Sequence, residues 1–489
     1  MKTSKILLLI FALLFPLGVS AITLTLEKTI ELANDSSLLA FRYRNMYQAS
    51  YWQYVSFRAE RLPSLSLTST PAKYYRYMTQ RYDSEQNIDV YRQQQMFTAS
   101  AGLEVLQNFD LLGGSFYLET NLEYMRNFGA NKYTQYSSVP IRIGYQQSLI
   151  GFNAFKWERR IEPLRYEKAK KELIYNMEAV SEQAVTYFFA LALAQAEYKL
   201  AEENVISCDT LYVIGERRFK IAAISQAELL TLQLDRVNAR NTLENCRIAL
   251  KRASFSLASF LGLDKNTEID IQLPGRPIPT DIPMDLALAL AKENNPTLLG
   301  NRQSILEGER ELNRAKVQSR FNASVNASVG FNQVADNFSG SYRSPLRQDL
   351  VSLSLSVPLI DWGVRKGKVN MAKNNLNVSR IAARQDELNI EEDIIMTVSD
   401  YDVRQRLIAS ASEALDLAET AYARTQQRFI IGKADINSIT LSLNRRQEAS
   451  KNYISALQNY WLCHYKIRRL TLHDFELDMP LTEYFDLKN

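Results

Sequence analysis

Residues 215–230 read Gly215-Glu216-Arg217-Arg218-Phe219-Lys220-Ile221-Ala222-Ala223-Ile224-Ser225-Gln226-Ala227-Glu228-Leu229-Leu230, and the spacing on either side of this stretch decides the fold. Backwards from Phe219, the residues Gly215, Tyr212, Cys208, Val205, Ala201, Tyr198, Ala194, Leu191, Tyr187 and Ala184 step by alternating fours and threes. Forwards, Leu229, Leu232, Arg236, Ala239, Leu243, Cys246, Leu250, Ala253, Leu257 and Phe260 step the same way. A repeat of about 3.5 residues, against about 3.6 per turn, keeps its seam facing a partner only by left-handed supercoiling. The stretch is the turn of a coiled-coil hairpin, placed at about Ile221 to Ser225, with Arg236 as the polar interruption of its seam.

The hairpin recurs at a fixed distance. Arg218-Phe219 is echoed by Arg428-Phe429 (428 − 218 = 210), Tyr212 by Tyr422, Val205 by Leu415, Ala239 by Ala449 and Phe152 by Trp362. A constant offset over more than a hundred residues predicts two copies of one unit. Upstream, a helix from Glu27 to Ala59, interrupted near Asn34-Asp35-Ser36-Ser37, has its counterpart at Met284 to Ser319, interrupted at Asn294-Asn295-Pro296. Proline biases its predecessor away from the helical region, so Asn295 marks a break. Here the offset is about 258 (291 − 33), so the first copy carries an insertion of about 48 residues between its opening helix and its hairpin.

Between opening helix and hairpin the period changes to two. Phe321 to Phe331 and Leu350 to Val357 alternate apolar residues with Ser or Asn, which predicts strands. The first copy has more such segments: Ser64 to Thr70, Met96 to Gln107, Ser115 to Met125 and Pro140 to Ser148, with Gly113-Gly114 as a turn and many tyrosines nearby. Alternating strands of about ten residues rich in aromatics suit a membrane β-barrel; a soluble β-sandwich fits the strands alone equally well. Two to six strands do not close a barrel by themselves, so several chains would have to share one. The long helices that follow, 155–219 and 364–429, would each span about 100 Å, and the returning arms, 225–261 and 435–470, about 55 Å. The opening helices have the length to cover the remainder.

At the start, Lys2 and Lys5, the apolar run Ile6 to Leu17 and Val19-Ser20-Ala21 read as a secretory signal peptide over 1–21. The expected layout is then a first repeat over 22–265, a second over 266–472 and a tail over 473–489. A net charge of +4 on 489 residues, with 23% charged, gives no nucleic-acid footprint. The cysteines Cys208, Cys246 and Cys463 read as free seam or core residues. His464 and His473 form no metal-ligand spacing and no phosphate loop or nucleophile elbow occurs, so the reading is a non-enzyme with no cofactor and no metal site.

The strand exit Val357-Pro358-Leu359-Ile360-Asp361-Trp362-Gly363, the turn Arg428-Phe429-Ile430-Ile431-Gly432 followed by Asp435, the closing Leu261-Gly262 and the opening Leu288 to Pro296 together resemble the TolC family of outer-membrane efflux proteins over essentially the whole mature chain. The resemblance implies a mainly helical fold with a membrane β part: a homotrimer whose chains share one β-barrel in outer-membrane lipid and form a periplasmic α-barrel from coiled-coil hairpins. It also implies an adaptor (membrane fusion) protein at the hairpin turns and an inner-membrane pump behind it, the channel itself conducting passively in efflux or type I secretion. Phe152, Pro358, Trp362 and Gly363 would mark the membrane boundary. Arg218, Phe219, Ala222, Ser225, Glu228, Arg428, Phe429, Gly432, Asp435 and Ser438 would mark the periplasmic entrance and adaptor-docking end.

The chain departs from the family pattern in two ways. The insertion adds a hairpin, leaving twelve or eighteen strands in a trimer, and glycines are missing where Ala222 and Asn153 stand. Family members often place acidic residues about six positions after the turn glycine; Glu228 holds that place, whereas Ser438 and Leu441 occupy it in the second copy. Asp435 and Ser225 read as helix N-caps, and Arg218 and Arg428 as either adaptor contacts or solvated charges. A periplasmic coiled-coil adaptor and a stand-alone porin or adhesin remain as alternatives; a doubled hairpin with amphipathic strands disfavours the first, and the length of the helices the second.

Overall fold

The computed structural model describes residues 22–109, 113–128, 132–265, 267–431 and 433–483; the expected signal peptide and Gly432 lie outside them. The described chain falls into two compact units, one of residues 22–47, 169–296 and 387–483 and the other of residues 48–168 and 297–386. Three helices run through both, α2 (Leu38–Ala59), α3 (Ala154–Lys220) and α7 (Val364–Ile430), whereas α6 (Pro296–Gln318) belongs to the second but for its first residue. The two long ones have 67 residues each. Among the described residues no helix is long and apolar enough to cross a membrane.

The second unit is built on one antiparallel sheet. Its strands are β2 (Ser64–Asp83), β3 (Ile88–Phe109), β4 (Gly114–Asn127), β5 (Tyr133–Ser148), β7 (Asn322–Ala335) and β8 (Leu346–Ser356), in the order β2-β3-β4-β5-β7-β8. The inserted hairpin is therefore continuous with the rest, since β3 pairs with β4 from Met96↔Asn127 to Phe109↔Gly114, the whole length of β4. β2 and β3 run further than their alternation predicted. Residues Ile88 to Gln95 of β3 pair with β2 alone, beyond the end of β4. Tyrosines and charges fill that overhang without a one-sided apolar pattern, so period two does not reveal it.

In the first unit, β1 (Ile22–Leu24) pairs in parallel with β6 (Ile269–Ile271), and the Gln195 side chain of α3 extends the ladder by bonding Ile269 O and Ile271 N at 2.7 and 3.1 Å. The opening helix breaks at Ser37, whose hydroxyl caps the next segment by accepting from Ala40 N at 3.1 Å. Its counterpart breaks at Asn295, after which Pro296 takes the first helical position, where a missing N–H costs nothing. The segments α1 (Leu26–Ser36) and α5 (Met284–Asn294) lie against the ends of the returning arms α4 (Gln226–Leu261) and α8 (Ile436–Thr471).

The seam residues Ala184, Leu191, Ala194 and Ala201 of α3 and Leu232, Ala239 and Leu257 of α4 are buried. In the second repeat Tyr401 and Tyr460 stack and share a hydroxyl hydrogen bond of 2.8 Å. Near the ends of α8, Arg468 ties Glu178 (3.1 Å) to Asp474 (2.7 Å), all three buried or nearly so. The expected tail region continues this core: β9 (His473–Asp474) pairs with β10 (Met479–Pro480), and Leu472 and Leu481 pack on Ile174. His464 is wholly buried among Tyr401, Tyr460, Trp461 and Tyr465.

Candidate functional site

Two places carry the chemistry of this chain, the sheet and the hairpin turns. Cross-strand register sorts the sheet residues onto two faces, because residues directly opposite each other share a face. One face holds Leu65, Val105, Leu118, Ile143 and Val329 in a single row across five strands, with Val351, Leu353 and Leu355 on β8. Most of these are exposed, which for a sheet in water would be an aggregation hazard. The other face is polar: Ser66, Glu104, Glu119, Arg142, Asn326, Ser352 and Ser354. There Arg142 donates to Glu119 at 2.6 Å and to Gln348 at 3.1 Å, bridging β4, β5 and β8. Gly144 of β5 stands on this face because the Tyr117 ring lies where its Cβ would be.

Aromatic rings edge the apolar face twice. Phe97, Tyr124, Tyr136, Phe338 and Tyr342 form a continuous chain of ring contacts, with centroids 6.2, 5.3, 6.3 and 5.5 Å apart. Phe109, Phe116 and Tyr145 form a second, at 6.4 and 4.5 Å. Phe116 and Tyr124 on β4 are eight residues apart (124 − 116), about 27 Å along a strand or about 21 Å along a normal tilted by about 40°. That spacing matches an apolar band of about 25 Å between two interfacial girdles.

The residues expected at a membrane boundary are placed unlike one another. Phe152 is half-buried with the Arg314 guanidinium 4.7 Å over its ring. Trp362 is 93% exposed in a left-handed conformation (φ 55), followed by Gly363 at φ 86. Pro358 precedes them in the irregular exit from β8. Asp361 caps α7 by accepting from Gly363 N and Arg365 N, both at 3.1 Å, and these bonds hold its carboxyl below the usual range. In the first repeat Asn153, at the place of Gly363, caps α3 through Lys156 N at 3.0 Å.

At the turns, the missing glycine is accommodated by strain. Ala222 adopts φ 58, a conformation costing about 1–2 kcal/mol for a residue with a Cβ. The turn is closed by Ala222 N to Phe219 O and Ala223 N to Arg218 O, both 2.9 Å, and Lys433 N to Arg428 O at 2.8 Å repeats the latter bond in the second copy. Ser225 caps α4 in a reciprocal box with Glu228, whose carboxylate accepts from Ser225 N at 2.7 Å. Those bonds hold Glu228 below the usual range. Asp435 caps α8 by accepting from Ser438 N at 2.8 Å.

Just behind the turns the two hairpins are fastened together by residues that the sequence reading did not assemble. Arg218 donates to Phe429 O at 3.1 Å and stacks over its ring, Ser207 and Tyr422 share a hydroxyl bond of 3.1 Å, Glu203 pairs with Arg446 at 2.8 Å and Glu197 with Lys451 at 2.6 Å. Arg236, the seam interruption, pairs with Asp209 at 2.5 Å and lies 5.1 Å over Tyr212; its counterpart Arg446 lies 4.3 Å over Tyr422. The offset of 210 joining both Arg-over-Tyr pairs was the signal in the sequence that could have found them.

Residues 287–461 match the family model described as outer membrane efflux protein. Over those residues the chain is similar to that family. No curated protein matches the chain. Its fold is similar to solved outer membrane proteins: the CmeC outer membrane channel of Campylobacter jejuni (TM-score 0.65, 14% identity, covering 91% of this chain and 85% of that one), the outer membrane protein VceC of Vibrio cholerae (0.64, 13%, 91% and 95%) and the MtrE outer membrane channel of Neisseria gonorrhoeae (0.59, 12%, 91% and 88%).

Proposed function

We propose that the chain is the outer-membrane channel of a multicomponent efflux or type I secretion system, working as a homotrimer. The observation that carries this reading is the sheet: an exposed apolar face between two aromatic rows, a polar opposite face, and two open edges, β2 and β8. One chain cannot close it, and an open edge is not tolerated in lipid. Successive strands alternate in direction, so β8 of one copy is antiparallel to β2 of the next. Three copies bring eighteen strands (3 × 6), and a wall of twelve would require β3 to part from β4 along its whole length. The apolar face meets outer-membrane lipid, and the face with Arg142 and Glu119 lines the water-filled lumen.

The helices then supply the periplasmic conduit and the turns its entrance. Ala222, Ser225, Glu228, Gly432, Asp435 and Ser438 form the end that meets a periplasmic adaptor, while Arg218, Phe219, Arg428 and Phe429 lie just behind it. Phe152, Pro358, Trp362 and Gly363 mark the inner edge of the membrane band. The inner-membrane pump selects and energises the cargo, and the channel conducts it passively.

The protein purified in mild detergent should have three times the mass of the processed chain and stay with envelopes after carbonate washing. Release by carbonate would favour the periplasmic adaptor reading, and a monomer would remove the shared barrel. Deleting the gene in its host should sensitise cells to a pump substrate, and bulky substitution at Gly432 should reproduce that loss with the trimer intact.

A further inference from the structure

Past the aromatic row that lies farther from the helices, the apolar face of the sheet turns cationic. Register carries that face onward from Phe97: Tyr74 lies opposite Phe97 and Arg76 opposite Gln95 between β2 and β3, and Arg126 lies opposite Phe97 between β3 and β4. Both arginines are exposed. The Arg126 guanidinium stands 5.0 Å from the ring centroid of Phe128, just past β4, and Phe128 meets Tyr74 edge-on with centroids 6.5 Å apart. Arg76 and Arg126 are two strands apart across the sheet and two residues apart along it, so their Cα atoms are about 12 Å apart. Two arginine side chains converge over such a distance. Between Tyr74 and Gln80 on β2, and between Tyr91 and Phe97 on β3, this face carries no acid; its first carboxylate is Asp89, opposite Tyr82 near the end of the hairpin.

The aromatic row nearer the helices has no such neighbours. Beyond Tyr145 the same face continues with Gln147 and Leu149 on β5 and with Val325 and Ala323 on β7. Cations thus flank one rim of the apolar band and not the other. Two leaflets with the same headgroups would give no reason for this difference. An outer membrane has unlike leaflets, and its outer one is built from glycolipids that carry phosphate.

We propose that Arg76 and Arg126 hold the phosphate of an outer-leaflet glycolipid, whose sugar rests on the rings of Tyr74 and Phe128 and whose acyl chains lie on the apolar face. This rests on the lipid-facing assignment of the sheet made above. A guanidinium fork engages two phosphate oxygens at once, and the pair strengthens where acyl chains lower the dielectric. Elsewhere in such a leaflet divalent cations bridge the phosphates of neighbouring lipids. Here two fixed guanidiniums stand in for the ion, so the lipid stays with the protein when divalent cations are removed.

The test uses the full-length protein in mild detergent and a chelating buffer. It is mixed with phosphorylated lipid A, with the same lipid stripped of phosphate, or with phosphatidylglycerol, and the lipid kept through gel filtration is counted by native mass spectrometry. Phosphorylated lipid A should be retained and the other two should not. Arg76→Gln with Arg126→Gln should hold about ten-fold less of it. Lys73→Gln, opposite Thr98 on the other face, should hold as much as the native protein. Equal retention by the arginine double variant overturns the site, and equal retention of the stripped lipid overturns phosphate as its ligand. Equal retention of phosphatidylglycerol overturns the choice of an outer-leaflet lipid. Loss in Lys73→Gln but not in the double variant means that the opposite face meets lipid, and overturns the assignment on which the site rests. A monomer that holds the lipid through both arginines keeps the site and removes the trimer.

Discussion

The Arg218 guanidinium of the first hairpin lies 5.2 Å from the ring centroid of Phe429 in the second and also donates to that residue's carbonyl at 3.1 Å. One side chain thus closes a helix end and fastens two repeats. A stacked cation is worth about 0.5–2 kcal/mol and a charged hydrogen bond about 1.5–3. Arg218→Ala should therefore loosen the tip by about 2 kcal/mol, read as faster hydrogen exchange at 425–440 with the rest of the helices unchanged. Arg218→Lys keeps the charge but loses the planar stack, so it should recover less than half of the effect.

The two sheet faces should respond oppositely to the same charge. Ile143→Lys puts an ammonium between the two aromatic rows, where a lysine costs about 2–4 kcal/mol near the midplane. Gln146→Lys, on the other face, should cost little. Heat-stability of the folded assembly on unboiled gels distinguishes them, and equal losses would mean that the face assignment is wrong.

The wall itself can be counted by cross-linking. With cysteines at Ser352, Ser354 or Ser356 of β8, oxidation should link chains when the second cysteine is at Ser64, Ser66 or Thr68 of β2 in one register. Cysteines at Ser115 or Asn121 of β4 should give none. Links to β4 in an intact trimer would reduce the wall to twelve strands.

Burial holds His464 well below its usual range, to about 3, and the nearby Arg468 adds to the effect while Asp474 opposes it. Glu476 is the nearest acid, at 3.7 Å. The unfolded chain takes up a proton at this site below about pH 6.5 and the folded chain does not until about pH 3, so the contribution is full above pH 6.5 and declines as the pH falls. The part at stake is on the order of 5 kcal/mol. Thermal midpoints from pH 7.5 to 4.5 should fall for the native protein and fall less for His464→Gln.

The sequence located the helices almost to the residue: the long ones were expected at 155–219 and 364–429 and run Ala154–Lys220 and Val364–Ile430. Seam spacing is a local signal, and caps such as Ser225 and Asp435 sharpen its ends. The strands were found only where one face is apolar; β2 and β3 continue through Tyr74 to Gln95 without that pattern. At the entrance, the caps were legible because they bond within four residues. Arg218 over Phe429 was not, since both residues were in view but nothing in a linear sequence says which hairpin lies beside which.

Fastening at several levels gives the paired hairpins a single response to load. The two hairpins share Arg218 over Phe429, the Ser207 hydroxyl bond and ion pairs at Glu203 and Glu197. A pull on either tip must break these ties in succession before the hairpins part, so the two swing together as one stave.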